Sequence, residues 1–340
     1  MNRYSLFLLL ALAVATSFLI SVGVGPAAAG PRGFLDSLAA LFGRGELHRI
    51  VIELRLPRAV MAVLTGACLG ISGAILQTVS RNPLASPYTF GVSASASFGA
   101  ALAIIMGAGV TGWLGRVEYY VNPLLLVANS VFFAVLSCAV ISILSAARGY
   151  SPTSTVLLGV SMTFLFTAAT SLIECFGTSE QVAAVVFWMF GDLSRSCWLS
   201  IASTSVALAT CLGLALAVRT QLDALLAGEE VASSLGVRVG VARGIGVAVS
   251  SILVAIPTAF VGTIGFLGLV APHVARKLVG GEVGRLVVAS GLVGAAILPL
   301  ADAASRALAQ PMVIPVGVLT SFLGVPLLIY LALSRGRAWS

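Results

Sequence analysis

Charged residues are scarce in this sequence: Asp, Glu, Lys and Arg together make up 9% of its 340 residues. A soluble domain carries about 25%, so the composition excludes a water-soluble globular fold. Hydrophobic residues make up 59% of the chain and the mean hydropathy is +1.08. Apolar runs of about 20 residues, enough to cross a bilayer as a helix, recur along its length. We therefore predict an all-α polytopic membrane protein.

The residues that carry most enzyme chemistry are also few. The chain has two histidines and five scattered cysteines, with no CxxC or Cys/His spacing, so neither a metal site nor a disulfide framework is predicted. No nucleophile–base pair indicates a membrane-embedded enzyme. No glycine-rich loop ends in GK[ST], so this chain is not expected to hydrolyse ATP alone. The basic residues stand singly, which is not typical of nucleic-acid binding.

Hydropathy predicts about ten spans in a single domain over residues 1–340, with both termini in the cytoplasm. The first span, Tyr4–Val24, has two interpretations: a retained helix, which we favour, or a signal peptide cleaved near the small residues Pro26–Gly30. The positive-inside rule supports the topology only weakly, because 11 of the 19 basic residues fall inside. The arginines on the outer side therefore need another explanation, such as docking of an acidic soluble protein.

Two features predict how the spans pack. Ala62, Gly66, Gly70 and Ala74 recur every four residues, which is typical of a close helix contact in lipid. Prolines and glycines break the segment Arg81–Ala100, and Gly265–Leu278 is too short for a full span. We expect an interrupted backbone at both places.

One amphipathic stretch, Thr220–Arg243, stands out from the apolar spans. Its apolar residues have helical spacing, Gly228 interrupts them, and the acidic pair Glu229–Glu230 opens a second short helix that Gly236 ends. Two interpretations are open: an interfacial loop without a partner, or a helical pair that docks in a groove of a soluble protein.

Five ordered motifs resemble one family of membrane proteins. They are RLPRAVMAVLTGACLGISGAILQ from Arg55, RNPLASPYTFGVSASASFGA from Arg81, GEEVASSLGV from Gly228, GFLGLVAPHVARKLVG from Gly265 and IPVGVLTSFLGVP from Ile314. Together they look like the FecCD-type permeases, the membrane subunits of ABC importers for ferric siderophores, haem and vitamin B12. The resemblance implies a ten-helix, type II ABC importer permease in the inner (cytoplasmic) membrane.

The resemblance also implies partners and sites. Partners are a second permease copy, with a homodimer favoured over a heterodimer, two cytoplasmic ATPase subunits that bind ATP and Mg, and an extracytoplasmic substrate-binding protein; no cofactor binds this chain itself. Arginines that match the family's docking positions are Arg55, Arg58 and Arg306. The region 220–240 resembles the family's coupling helices, with contacts expected from Leu222, Leu225, Leu226, Gly228, Glu229, Glu230, Val231, Leu235 and Gly236.

The substrate pathway takes its predicted residues from three segments of the chain. We assign to it the small faces of the second and third spans and an aromatic outer segment: Gly66, Gly70, Gly73, Ser93, Ser97, Phe187, Trp188 and Gly191. The aromatic segment also fits an interface belt. Val313 stands where the family often has an acidic residue, so we assign no polar substrate contact there. Alternative functions are a same-fold permease for a metal oxyanion such as molybdate and an ion-coupled secondary transporter. The latter normally needs ionisable residues at mid-membrane, and the sequence has no such cluster.

Overall fold

The computed structural model describes residues 3–25, 30–43, 47–88, 90–109, 112–113, 123–147, 151–309 and 312–333. These segments are helical apart from a two-residue ladder, in which β1 (Ala108–Gly109) pairs antiparallel with β2 (Gly112–Trp113). The predicted all-α class is therefore confirmed for the described residues. The terminal residues on which the predicted orientation depends, Arg335 and Arg337 among them, lie outside this set.

The chain forms fifteen helices within the described residues. The first seven are α1 (Arg3–Gly23), α2 (Gly30–Ala40), α3 (His48–Ile50), α4 (Leu56–Ser80), α5 (Val92–Ala101), α6 (Pro123–Ala147) and α7 (Pro152–Glu174). The other eight are α8 (Ser179–Met189), α9 (Trp198–Ala217), α10 (Arg219–Ala227), α11 (Glu229–Ser234), α12 (Val239–Val261), α13 (Leu267–Val279), α14 (Val283–Ala307) and α15 (Val316–Leu333). π-Helical turns join α3 to α4 (Val51–Arg55) and extend α5 (Leu102–Met106), and a short 3-10 turn (Leu193–Arg195) precedes α9.

Seven helices of the described chain are long and apolar enough to cross a membrane. They are Tyr4–Gly23, His48–Ser80, Leu124–Ala147, Thr153–Glu174, Trp198–Ala217, Val239–Val261 and Val283–Ala307. The other three predicted spans correspond to shorter helices: α5 with its π turn, α13 and α15. The chain is thus a multi-pass membrane protein, and the total of about ten spans stays a prediction.

The long helices divide into a core and a shell. In the most apolar 18-residue window, 83% of the residues are buried in α4, 72% in α14 and 67% in α12, against 17% in α7. The windows of α1 and α9 are each 28% buried. We infer that α4, α12 and α14 form the core, and that the exposed apolar faces of the shell meet lipid or another protein.

Helices α4 and α14 pack with their backbones in contact. A Cβ added to Gly66 would lie 2.2 Å from the carbonyl oxygen of Gly294, and one on Gly70 would lie 2.1 Å from that of Ser290. Gly73 faces α13 in the same way: a Cβ added to it would lie 1.7 Å from the carbonyl oxygen of Gly268. The predicted packing face is confirmed. In this structure these three glycines are buried in helix contacts, and their assignment to the pathway stays a prediction.

The predicted backbone interruptions are confirmed. Arg81 ends α4 with φ +49°, Gly91 precedes α5 with φ +71°, and Phe266 precedes α13 with φ +63°. Helix α13 has 13 residues, which span about 20 Å at 1.5 Å per residue. That is shorter than a hydrocarbon core of about 30 Å, so α13 is a partial span.

The sequence interpretation did not predict helices α2 and α8, and it placed residues 30–53 and 178–196 outside the membrane as connecting segments. A signal for α8 is present: Thr178 accepts a hydrogen bond from the backbone of Gln181, whose side chain accepts one from the backbone of Thr178. This capping box is recognisable from Thr-x-x-Gln alone. The amide of Gln181 also donates to the carbonyl oxygens of Ile104 and Ile105, which attaches α8 to the end of α5.

Candidate functional site

Three arginines and one aspartate form a buried cluster at one end of the core, which we call the arginine cluster: Arg55, Arg58, Arg306 and Asp302. Nε and Nη2 of Arg58 both lie 2.8 Å from Oδ1 of Asp302. Nη2 of Arg306 lies 2.8 Å from Oδ2 of the same carboxylate. Asp302 is fully buried, so it joins α4 to α14 with a charge that water does not reach.

Two arginines of the cluster bind the end of α1. Nη1 of Arg55 donates to the carbonyl oxygens of Val22 and Gly23 and to Oγ of Ser37 on α2. Arg306 donates to the carbonyl oxygens of Ser21 and Val24. The last carbonyls of a helix have no partner within it, and these side chains supply one.

The burial of the cluster changes which arginine a partner can reach. Arg55 and Arg306 are 6% and 4% exposed, so they do not form the open outer patch that the docking interpretation assumed. The side chain of Arg58 is 11% exposed, and its Nη1 lies 3.8 Å from Asp192, whose side chain is 34% exposed. Docking stays a prediction for all three arginines, and Arg58 is the one nearest to the surface.

The aromatic segment before α9 is mainly a packing element. Trp188 is 2% exposed, and a Cβ on Gly191 would lie 2.3 Å from the carbonyl oxygen of Thr263. Asp192 N–H donates to the carbonyl oxygen of Val261 at the end of α12. Phe187 is 63% exposed. Of the eight residues assigned to the pathway, Phe187 is therefore the one with a large exposed surface.

The two remaining pathway residues lie inside the bundle. Ser93 and Ser97 on α5 are 6% and 1% exposed, and the hydroxyl of Ser97 donates to the carbonyl oxygen of Ser93. This bond within the helix satisfies the Ser97 hydroxyl. A role of either serine in the pathway stays a prediction.

The amphipathic stretch forms the two short helices that its sequence predicts. Gly228, with φ +126°, separates α10 from α11, and Gly236, with φ +78°, follows α11. Both glycines have open space around them, so the backbone conformation, which disfavours other residues, is what requires glycine there.

The exposure of the apolar residues corrects our view of this element. Leu222 and Leu225 are completely buried against the protein's own core, and Leu226 is partly buried. These leucines fasten α10 to the bundle and offer little or no surface to a partner. Val231 and Leu235, which are 43% and 67% exposed, are the apolar side chains that a soluble partner could contact.

Polar contacts also hold the two short helices to the core. Oδ1 of Asp223 on α10 accepts a hydrogen bond from the backbone N–H of Val283 at the start of α14. Burial raises the pKa of Asp223, while this hydrogen bond acts in the opposite direction. Nη2 of Arg243 on α12, whose side chain is 2% exposed, lies 2.7 Å from Oε1 of Glu229 at the start of α11. These contacts tie α10 to α14 and α11 to α12.

The comparisons with known proteins fit this arrangement. The model of the FecCD transport family matches residues 10–334. The chain belongs to the FecCD transport family. The match begins within α1, so it includes the helix that Arg55 and Arg306 bind, and the family resemblance drawn from the motifs is confirmed.

Relatives and a solved structure agree with the family. The chain is 42% identical to an ABC transporter permease protein of Methanocaldococcus jannaschii, over 86% of this chain and 84% of that protein. It is 34% identical to a cobalamin import system permease of Halobacterium salinarum, over 86% and 76%. A metal-chelate type ABC transporter solved in an inward-facing conformation has a TM-score of 0.81 at 28% identity, covering 98% of this chain and all of that one.

More distant relatives differ in the substrate they are named for. Permeases for iron(3+)-hydroxamate, Fe(3+)-citrate and molybdate are 32% or 33% identical to this chain. FecCD proteins are permease subunits of ABC transporters and not enzymes themselves. Among the described residues, no three metal-ligating side chains are grouped.

Proposed function

We propose that the chain is the membrane-spanning permease subunit of an ATP-driven importer for iron–siderophore, haem or vitamin B12. The observation that carries the proposal is the α10–α11 element, which is fastened to α12 and α14 and still exposes Val231 and Leu235. A permease without a phosphate-binding loop needs a contact with an ATPase subunit, so that ATP hydrolysis there can change the conformation of the permease. Two ATPase subunits that bind ATP and Mg would supply it at the cytoplasmic face.

The substrate path in this proposal lies between two copies of the permease. Helix α7 supports it, because its exposed face mixes hydroxyl and apolar residues: Thr153, Ser161, Thr167 and Ser171 beside Phe164 and Ala168. The hydroxyls of Ser161 and Thr167 donate to carbonyl oxygens of their own helix, and small and hydroxyl-bearing residues are typical of helix interfaces in lipid. Packed helices with two discrete arrangements would then open the path to each side in turn. A homodimer is the simplest assembly.

The arginine end would face outward and meet a soluble substrate-binding protein. Its surplus of positive charge supports this, since three arginines stand beside two carboxylates: Arg58 pairs with Asp302 and Asp192, and Arg306 pairs with Asp302. A partner's carboxylates would complete the pairing. A molybdate permease is the second candidate, because the family includes a relative named for that oxyanion.

ATP hydrolysis by the reconstituted complex is the direct test. The permease is combined in proteoliposomes with its candidate ATPase and a binding protein loaded in turn with a ferric siderophore, haem, cobalamin or molybdate. We expect one of the first three to stimulate hydrolysis several-fold over the empty binding protein. Stimulation by molybdate alone would assign a metal oxyanion as the substrate in place of the three expected classes. Failure to form any complex with an ATPase would reject the proposal that the chain belongs to an ATP-driven importer.

Substituting the exposed residues of α11 should separate the permease from its ATPase. We expect the pair Val231→Asp and Leu235→Asp to weaken the complex more than tenfold, because each change places a carboxylate in an apolar contact and costs roughly 1 kcal/mol or more. Co-purification on tagged ATPase measures the effect. Leu308→Asp, at an equally exposed leucine (66%) beyond α14, is the matched control. Equal retention of both variants would show that α11 is not the contact.

A further inference from the structure

The contacts of Arg58 are divided between two carboxylates of very different character. On one side, Nε and Nη2 hold Asp302 at 2.8 Å, and that carboxylate is fully buried. On the other, Nη1 lies 3.8 Å from Asp192, which is about one-third exposed. The first pair is expensive to break, because it would leave buried charges without a partner. The second is a long, partly solvated ion pair, and such pairs contribute about 1 kcal/mol or less.

The other two arginines of the cluster have no comparable exchangeable contact. Arg55 and Arg306 are almost completely buried and hold the carbonyl oxygens at the end of α1. A partner could reach them only if α1 or α2 moved away. The side of Arg58 that faces Asp192 is therefore the position in the cluster where an incoming carboxylate meets the least resistance.

The contacts of Asp192 connect it to the neighbouring helices, so replacement of Asp192 on Arg58 by another carboxylate would affect them. Its backbone N–H donates to Val261 at the end of α12, and its carboxylate accepts hydrogen bonds from the backbone and hydroxyl of Ser194. Its neighbours Trp188 and Phe190 pack on the ends of α12 and α15: a Cβ on Gly262 would lie 2.2 Å from the carbonyl oxygen of Trp188, and one on Gly317 would lie 2.3 Å from that of Phe190. Loss of the Arg58 contact would free one side of the connection between α8 and α9.

We propose that Asp192 occupies the docking position on Arg58 and is displaced by a carboxylate of the substrate-binding protein. This rests on the proposed function, since it assumes that an acidic soluble protein docks at the arginine end. It goes further in assigning the contact to Arg58 alone. It also makes Asp192 an internal competitor, whose release couples docking to the segment 187–195.

Docking affinity of the Asp192→Asn variant tests the competition. The full complex is reconstituted in nanodiscs, and the dissociation constant of fluorescently labelled binding protein is measured at low salt and at 0.5 M salt. At 0.5 M salt the Debye length is on the order of 4 Å, so charge interactions across the interface are screened. Asparagine keeps one oxygen to accept from the Ser194 backbone, replaces the oxygen that accepts from the Ser194 hydroxyl with an amide NH2, and loses the charge. We expect binding about two- to five-fold tighter than wild type at low salt, corresponding to the removal of one weak ion pair. Asp36→Asn, at an exposed aspartate of α2, should leave the constant unchanged.

A second measurement probes the segment without the binding protein. Cys197 lies just beyond it and is exposed, and Cys175 at the end of α7 is exposed as well. We expect a thiol reagent to label Cys197 several-fold faster in Asp192→Asn than in wild type, with Cys175 as the internal reference. Unchanged labelling, or docking to Asp192→Asn no tighter than to wild type, would overturn the proposal while leaving the importer intact. Absence of any docking to the wild-type complex would overturn both.

Discussion

Replacing Asp302 by asparagine should lower the stability of the protein by about 3–5 kcal/mol, because it leaves two buried arginines without their shared counter-ion. Asparagine matches aspartate in shape and keeps one oxygen that can accept from Arg58, so the loss comes from the charge. Arg58 and Arg306 are both within 2.8 Å of the carboxylate. We expect the apparent Tm in detergent to fall by about 5 °C or more, together with the share of protein that elutes as a single species.

Two further variants separate the charge effect from a general sensitivity of this region. Asp36→Asn makes the same chemical change at an exposed site and should shift the Tm by less than about 1 °C. In Asp302→Asn with Arg58→Met, one of the unpaired charges is also removed. The double variant should therefore lose less stability than the sum of the two single changes, by about 0.5–3 kcal/mol. Strict additivity, or equal Tm values for Asp302→Asn and Asp36→Asn, would contradict the assignment.

The cluster shows what sequence reasoning could and could not establish at this site. The spacing of Asp302 and Arg306, four residues apart on a helix, predicts that the two side chains meet. The resemblance placed Arg55, Arg58 and Arg306 at one end of the bundle. Nothing in the sequence indicates that Arg306 reaches Ser21, 285 positions away, and this long-range contact is what buries the arginine. Exposure depends on the tertiary fold, and span-end position alone suggested an open patch.

The same limit applies to the α10–α11 element. Periodicity and the two glycines predicted both short helices and their break. Periodicity also identified an apolar face, but it did not say which protein covers that face. Leu222 and Leu225 turned out to pack on the chain's own α4, α12 and α14. An amphipathic helix has one apolar face whether its partner is internal or external, so the sequence pattern is the same in both cases.

The small-residue face gave two sequence interpretations, of which the structure supports one. Helix packing in lipid and a substrate path both favour glycine, since both need space close to the backbone. In this structure that space is filled by the backbones of α13 and α14 at Gly66, Gly70 and Gly73. The hydrophobic pattern could not distinguish these cases, because a packed interface and a narrow path use the same residue types.

Gly73→Ala should disrupt the protein more than any other single-carbon addition to this face. The new Cβ would lie 1.7 Å from the carbonyl oxygen of Gly268 and 2.6 Å from its carbonyl carbon, and backbone atoms cannot turn aside as a flexible side chain can. Helix α13 begins at this point, after the left-handed Phe266, so its first turn must move away from α4. We expect a loss of about 3 kcal/mol or more, measured as reduced thermal stability and reduced yield of folded permease.

Gly213→Ala on α9 provides the comparison that makes this result interpretable. It adds the same methyl group to a helix glycine with nothing within 4 Å, and alanine is the better helix former, so we expect unchanged or slightly higher stability. The outcome also distinguishes two roles of Gly73, in helix packing and in the substrate path. If Gly73 lined the path, the alanine variant would lose transport and keep its stability, because the added methyl group would narrow an open space. If Gly73 serves helix packing, the alanine variant loses stability before any effect on transport can be seen. If Gly73→Ala folds as well as Gly213→Ala and loses only transport, the result would indicate that α13 leaves α4 during the cycle and would support the pathway assignment of Gly73.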